Sequence, residues 1–155
     1  VFQREFQVQV RASLQEVWEF HSSAAALTLL TPADREIRAI SENLEVIEGA
    51  LHVFGFKQFG LPMVWKARIS KVEPPFTFTD TAEKSPFKFW EHRHTFSANE
   101  HGTLIHDLIR YQPPGGPLAG LIDRLLIAKD LDRLFRFRHE ATRRALDKLD
   151  SVPPP

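Results

Sequence analysis

The sequence contains no cysteine, which excludes disulfides, thiolate nucleophiles and thiolate metal sites and suits a reducing compartment. It has no surplus of charge: 20 Lys and Arg balance 20 Asp and Glu. Without a basic excess the counterion-release term behind phosphate-backbone binding is missing, so neither nucleic acid nor an anionic membrane surface is an expected partner. No apolar run approaches the ~20 residues that span a bilayer, and the opening Val1 Phe2 Gln3 Arg4 Glu5 lacks the apolar core of a signal peptide. The expectation is a soluble, cytoplasmic protein with no stable membrane insertion. A Gly-x-Ser-x-Gly elbow and a glycine-rich phosphate loop are also missing, which argues against acyl-enzyme hydrolysis and nucleotide use. A chain of 155 residues is expected to form one domain over 1–150, with a frayed Pro-rich tail at 151–155.

What is present centres on Phe89 to Phe96, which alternates strictly between two faces. In a strand Trp90, His92, His94 and Phe96 share one side, and Glu91, Arg93 and Thr95 take the other. A buried imidazole needs partners for both nitrogens, so two rings and two imidazoles on one face read as a pocket wall rather than a plain core.

Around that strand the pattern predicts an α+β fold. Phe2 to Val10 alternates as a half-buried strand, with Arg4 the exception, and Ser13 Leu14 Gln15 Glu16 is a capping box that opens a helix. Ala24 to Leu30 allows a second short helix, ended at Thr31 Pro32. Strands are predicted over Glu36–Ile40, Leu51–Phe59, Met63–Val72, Phe76–Thr81, Phe87–Ser97 and Thr103–Tyr111, as an antiparallel meander with one wet face and one covered face. After Pro113 Pro114 Gly115 Gly116 Pro117, one long helix, straight or kinked, is predicted over Leu118–Leu149. Its stripe of Leu131, Leu134, Phe135, Arg138, Thr142, Ala145, Leu146 and Leu149 would cover the sheet.

A hairpin at Asn99 to Gly102, closed by Ala98 opposite Thr103, sets Phe96 across from Ile105, His94 from Asp107, His92 from Ile109 and Trp90 from Tyr111. A one-residue slip would turn Leu104, His106, Leu108 and Arg110 inward instead. In the preferred register an Asp opposite a His fixes the imidazole tautomer and favours its charged form. Two readings stand side by side: a buried polar network that satisfies itself, or an acid–base couple. For the second, His94 is the acid or base, Asp107 its orienter, and Tyr111 or His92 the stabiliser of oxyanion charge. His92 and His94 also invite a metal reading, with Asp107 or His52 as third ligand, but two alternating histidines do not make a site. No metal and no cofactor are expected. The candidate ligand-binding wall comprises Phe54, Phe56, Met63, Trp65, Trp90, His92 and His94, then Ile105, Asp107, Ile109 and Tyr111, with Phe135 and Arg138 from the helix. Arg138 either reaches a ligand carboxylate or Asp107, or snorkels to solvent. His21, His101 and His139 show no partner in the sequence and read as surface or cap residues.

Several stretches carry a family resemblance: Val17 Trp18 Glu19 Phe20, Leu30 Thr31 Pro32, Gly60 Leu61 Pro62 Met63 Val64 Trp65, Glu73 Pro74 Pro75 Phe76, Trp90 to Phe96, and Gly102 Thr103 with Asp107 and Tyr111. Together with the element order they resemble the SRPBCC, or START-like, helix-grip proteins of the birch-pollen-allergen type, and within them the polyketide cyclase/dehydrase subfamily. The resemblance implies a curved antiparallel sheet wrapped around a long C-terminal helix, with a deep cavity between them. The function it implies is binding of a small hydrophobic or amphipathic molecule, as a carrier or sensor. The alternative is a cofactor-free cyclase, dehydratase or isomerase using the His/Asp pair. Fold alone does not choose between them.

Overall fold

A computed structural model describes residues 1–147; the predicted helix end at Leu149 and the tail at 151–155 lie outside the described residues. Strand β1, Phe2–Val10, buries Val8 and Val10 and exposes Gln3, Glu5 and Gln7. Arg4, the residue that broke the alternation, shares the inward face and pairs with Asp132 of the C-terminal helix. Helix α1, Leu14–His21, begins at the predicted box. The Glu16 N–H donates to the Ser13 hydroxyl at 3.1 Å, and the Ser13 N–H donates to the Glu16 carboxylate at 3.0 Å. Trp18 packs edge-on against Phe78 and Phe96, tying α1 to the sheet. Helix α2 covers Ala25–Leu29, and after Pro32 a 3-10 turn at Ala33–Arg35 follows that the sequence pattern did not signal.

The remaining strands are β2 (Arg38–Ala39), β3 (Leu51–Gln58), β4 (Leu61–Glu73), β5 (Thr77–Lys84), β6 (Phe89–Asn99) and β7 (Gly102–Gln112). They form one seven-stranded antiparallel sheet in the order β1-β7-β6-β5-β4-β3-β2. The chain thus returns to lay β7 beside β1. Register shifts between β4 and β5, at Lys66/Ala67 and Ile69/Lys71, mark irregularities of the kind that bend a sheet. The β6–β7 register is the preferred one: Ala98 faces Thr103, Phe96 faces Ile105, His94 faces Asp107, His92 faces Ile109 and Trp90 faces Tyr111.

The predicted long helix is segmented. A 3-10 turn at Gly116–Leu118 leads into α3 (Ala119–Ile122), a π-helical turn at Asp123–Ile127, and α4 (Ala128–Leu146). The π turn gives the kinked alternative its physical form. Helix α4 turns Leu131, Phe135 and Thr142 into the sheet, and Phe135 stacks on Phe6 of β1 with ring centroids 4.5 Å apart. Two apolar clusters result. One gathers Trp18, Phe78, Phe96 and Ile105; the other gathers Trp90, Ile109, Tyr111, Leu131 and Phe135. Along β6, His94 and His92 fall between Phe96 of the first and Trp90 of the second.

The hairpin that fixes this register depends on Gly102. Its φ is +127°, and a Cβ there would stand 2.2 Å from the Val10 carbonyl oxygen. Gly60 also has positive φ, +77°, but nothing lies within 4 Å of its would-be Cβ. Gly102→Ala is therefore expected to lower stability by about 2–4 kcal/mol, against about 1 kcal/mol for Gly60→Ala, in paired thermal and denaturant unfolding.

Candidate functional site

A cavity of about 230 Å³ lies between the sheet and the helices. Strands β3 to β6 supply its sheet side, and residues of α4 and of the segment from His21 to Ile37 supply most of the rest. Of the candidate wall residues, Phe54, Phe56, Trp65 and Trp90 line the cavity from the sheet, Phe135 and Arg138 line it from α4, and His92 and His94 form its polar floor. Ile105, Asp107, Ile109 and Tyr111 do not reach it: Ile105 packs with Trp18 and Phe96, Ile109 and Tyr111 pack with Leu131 and Phe135, and Asp107 is covered by His139. Each is at most 4% exposed. Met63 is not among the lining residues either.

The polar floor follows from three strands and a helix. Asp107 Oδ1 accepts from His92 Nε2 at 2.7 Å, and Oδ2 accepts from His139 Nε2 of α4, also at 2.7 Å. The Asp107 carboxylate is thus bonded to the diagonal neighbour His92 rather than to His94 directly opposite. His94 Nδ1 stands 3.4 Å from Asp107 Oδ1 but lacks hydrogen-bond alignment. Its other nitrogen, Nε2, donates to Asp80 Oδ2 at 2.9 Å. Asp80 comes from β5, where it pairs with His92 across the ladder, and its Oδ2 is 3.8 Å from His92 Nδ1. The two imidazoles are in contact, with centroids 3.6 Å apart and planes tilted by 33°.

These contacts set the charge states. Burial alone would push the Asp107 carboxyl up, but donation from His139 and His92 and the nearby His94 outweigh it and hold the group well below the usual carboxylate range. Asp80 is likewise opposed by burial and lowered by the His94 hydrogen bond and by the charges of His92, His94 and Arg138. Burial drives His92 down, helped by the charge on His94. For His94 burial acts downward too, yet Asp107 and Asp80 together raise it. Burial thus works against the charged form of His92, while the two carboxylates favour the charged form of His94. Arg138, lowered by burial but drawn back up by Asp107 and Asp80, lies over the Phe135 ring at 5.5 Å and faces the cavity.

Two of the histidines read as surface or cap residues belong to this interior. His139 is a partner of Asp107, and His21 lines the cavity, its ring 4.9 Å from that of Phe96 and its Nδ1 donating to the Val17 carbonyl at 2.9 Å. The i, i+4 step from Phe135 to His139 was the available signal for the first. For Asp80 the signal was the alternation Phe78, Asp80, Ala82 in β5. Of the four residues assigned catalytic roles, His92, His94 and Asp107 are neighbours, with Asp107 bonded to His92, but Tyr111 does not join them. Its hydroxyl donates to Asp123 Oδ1 at 2.6 Å, and burial with that carboxylate keeps the phenol protonated. At another part of the wall, Arg35 pairs with Asp130 of α4 at 2.6 Å, both side chains largely shielded from solvent. His52, weighed as a metal ligand, lines the cavity but bonds through Nε2 to the Glu45 carbonyl.

Burial lowers the His21 pKa from 6.5 to about 3. The unfolded chain then binds a proton that the folded protein refuses, so this group's contribution to stability falls as pH drops below the unfolded value. Relative to His21→Gln, the wild type is expected to lose up to about 2 kcal/mol between about pH 8 and about pH 5, read from denaturant unfolding at each pH.

The fold places the chain among solved structures of low sequence identity. It is similar to protein CV1439 from Chromobacterium violaceum (10% identity, 95% of this chain and 98% of that one, TM-score 0.74). It is also similar to ginseng major latex-like protein 151 from Panax ginseng (11% identity, 95% and 98%, TM-score 0.70). A third likeness is to a nucleoside-diphosphate sugar epimerase from Corynebacterium glutamicum (21% identity, TM-score 0.59), covering 93% of this chain but 28% of that one. No curated protein matches the sequence. At these identities the structural likenesses speak for the fold, and the family is set by the sequence itself. Residues 10–137 match the family described as "Polyketide cyclase / dehydrase and lipid transport", and it is to this family of helix-grip proteins that the chain belongs.

Proposed function

We propose that the protein binds a small amphipathic molecule in the cavity between sheet and α4, as a carrier or sensor. The observation that carries this is the distribution of chemistry around the cavity. Aromatic and aliphatic side chains such as Phe54, Trp65, Trp90 and Leu134 make up most of the wall, while Asp80, His92, His94 and Arg138 gather its polar groups on one patch. Apolar walls give affinity and a few convergent polar groups give orientation, the usual division of labour in small-molecule sites. A ligand would lie with its apolar body against Trp65 and Trp90 and its polar end toward Arg138 and the Asp80–His94 couple.

Native mass spectrometry of gently purified protein, followed by denaturing extraction, is expected to show one small amphipathic molecule per chain. Phe54→Ala, chosen because Phe54 is half-buried and stacks on Trp65, is expected to weaken binding of an apolar fluorescent probe by about 1–2 kcal/mol, roughly 5- to 30-fold. Unchanged affinity in the folded variant would remove this wall from the site.

One observation favours a second reading, a cofactor-free cyclase, dehydratase or isomerase. The Asp80–His94 couple is an acid–base pair on the cavity wall, whereas Asp107 is sealed behind it. On that reading His94→Gln abolishes turnover of a bound polyketide-like substrate while probe binding stays within about threefold of wild type. Equal loss of both would return the residue to a binding role.

A further inference from the structure

The polar patch of the cavity has a donor arrangement that hydrogen bonding alone does not use up. Asp80, His92 and His94 each offer one donor atom, and the three lie within 4.8 Å of one another. His92 Nδ1 to Asp80 Oδ2 is 3.8 Å and His94 Nε2 to Asp80 Oδ2 is 2.9 Å. A tetrahedral ion with bonds of about 2.1 Å needs its donors about 3.4 Å apart, between those two values. The third pair, His92 to His94, lies within 4.8 Å, so side-chain rotation that draws the two imidazoles toward Asp80 would close the set.

The tautomers point the same way. A carboxylate oxygen of Asp107 at 2.7 Å accepts from His92 Nε2, so in the neutral ring the lone pair is on Nδ1. That lone pair faces Asp80, an acceptor, at 3.8 Å. Two acceptors aimed at each other call for a cation or proton between them. The carboxylate behind His92 is what metal-ligating histidines ordinarily carry: it fixes the tautomer, orients the ring and raises its basicity. Asp107 is anchored in turn by His139 at 2.7 Å. Asp80, His92 and His94 all line the cavity, so an ion held by them would keep coordination positions open toward a ligand.

We propose that Asp80, His92 and His94 form a binding site for one divalent first-row transition ion, with Asp107 and His139 as the support behind His92. Two imidazoles and one carboxylate suit Zn2+, Fe2+, Co2+ or Ni2+ rather than Mg2+ or Ca2+, which prefer all-oxygen sets. The ion takes the place of the His94 Nε2–Asp80 Oδ2 hydrogen bond. The site shares Asp80 and His94 with the polar end proposed for the organic ligand, but ion binding is read by its own signal on protein without that ligand, so the ligand experiment and the metal experiment can fail separately.

The test uses the full chain, stripped with a chelator and titrated with Zn2+ by calorimetry and with Co2+ by visible absorption. One ion per chain is expected, with Co2+ ligand-field bands in the visible. Asp80→Asn and His92→Gln are expected to weaken binding by roughly 100-fold or more, and His139→Gln by roughly 10- to 100-fold. His106→Gln, at a half-buried histidine paired with Glu5 outside the cavity, is expected to leave it unchanged. Should the buried variants not fold, imidazole NMR of the wild type decides: Zn2+ must shift the His92 and His94 ring resonances. No saturable binding, full affinity in Asp80→Asn, or shifts confined to His52, His101 and His106 would overturn the proposal.

Discussion

A single ionised carboxylate, Asp107, holds the interior together. It is 4% exposed, and a buried charge survives only when its lone pairs are met by good donors. His92 from β6 and His139 from α4 meet them, so the sheet and the helix that covers it are joined through one acceptor. This contact is directional, unlike the apolar clusters on either side of it. It sets the rotation of α4 over the sheet, and through His92 and His94 it positions the polar end of the cavity. A helix turned by one residue would take His139 away from Asp107 and leave the charge under-satisfied.

The fold was legible because its signals are local. The capping box at Ser13, the alternation of β1 and β6, and the hairpin from Asn99 to Gly102 depend on neighbours within a few residues, and the structure reproduces them together with the β6–β7 register. Even the anomaly of Arg4 had an answer in an ion pair with Asp132. The segmentation of the C-terminal helix was legible only as the option of a kink. Hydrophobic spacing tolerates a π turn, since one widened turn shifts the stripe without erasing it.

The site was legible only in part because its partners come from separate elements. His92, His94 and Asp107 stood on two adjacent strands and could be set opposite one another by counting. Which histidine receives the carboxylate is decided by side-chain direction, and here the diagonal contact won over the directly opposite one. Asp80 is thirteen positions before Arg93 in the chain yet opposes β6 across the ladder, and His139 approaches from the helix. Nothing in β7 itself shows which helix covers it: Ile105 packs in the cluster of Trp18, while Ile109 and Tyr111 pack against Leu131 and Phe135 of α4, so all three sit in packed layers and not on the cavity wall.

The Arg35–Asp130 pair bears on time rather than affinity. It clasps the segment after α2 to α4 at the cavity's edge, with little water around either group. Parting such a pair exposes two charges before either regains full hydration, a barrier of several kcal/mol. A molecule that exchanges past this clasp must wait for it to open. Its residence time would then be governed by the protein's own opening rate as much as by the strength of its contacts with the wall.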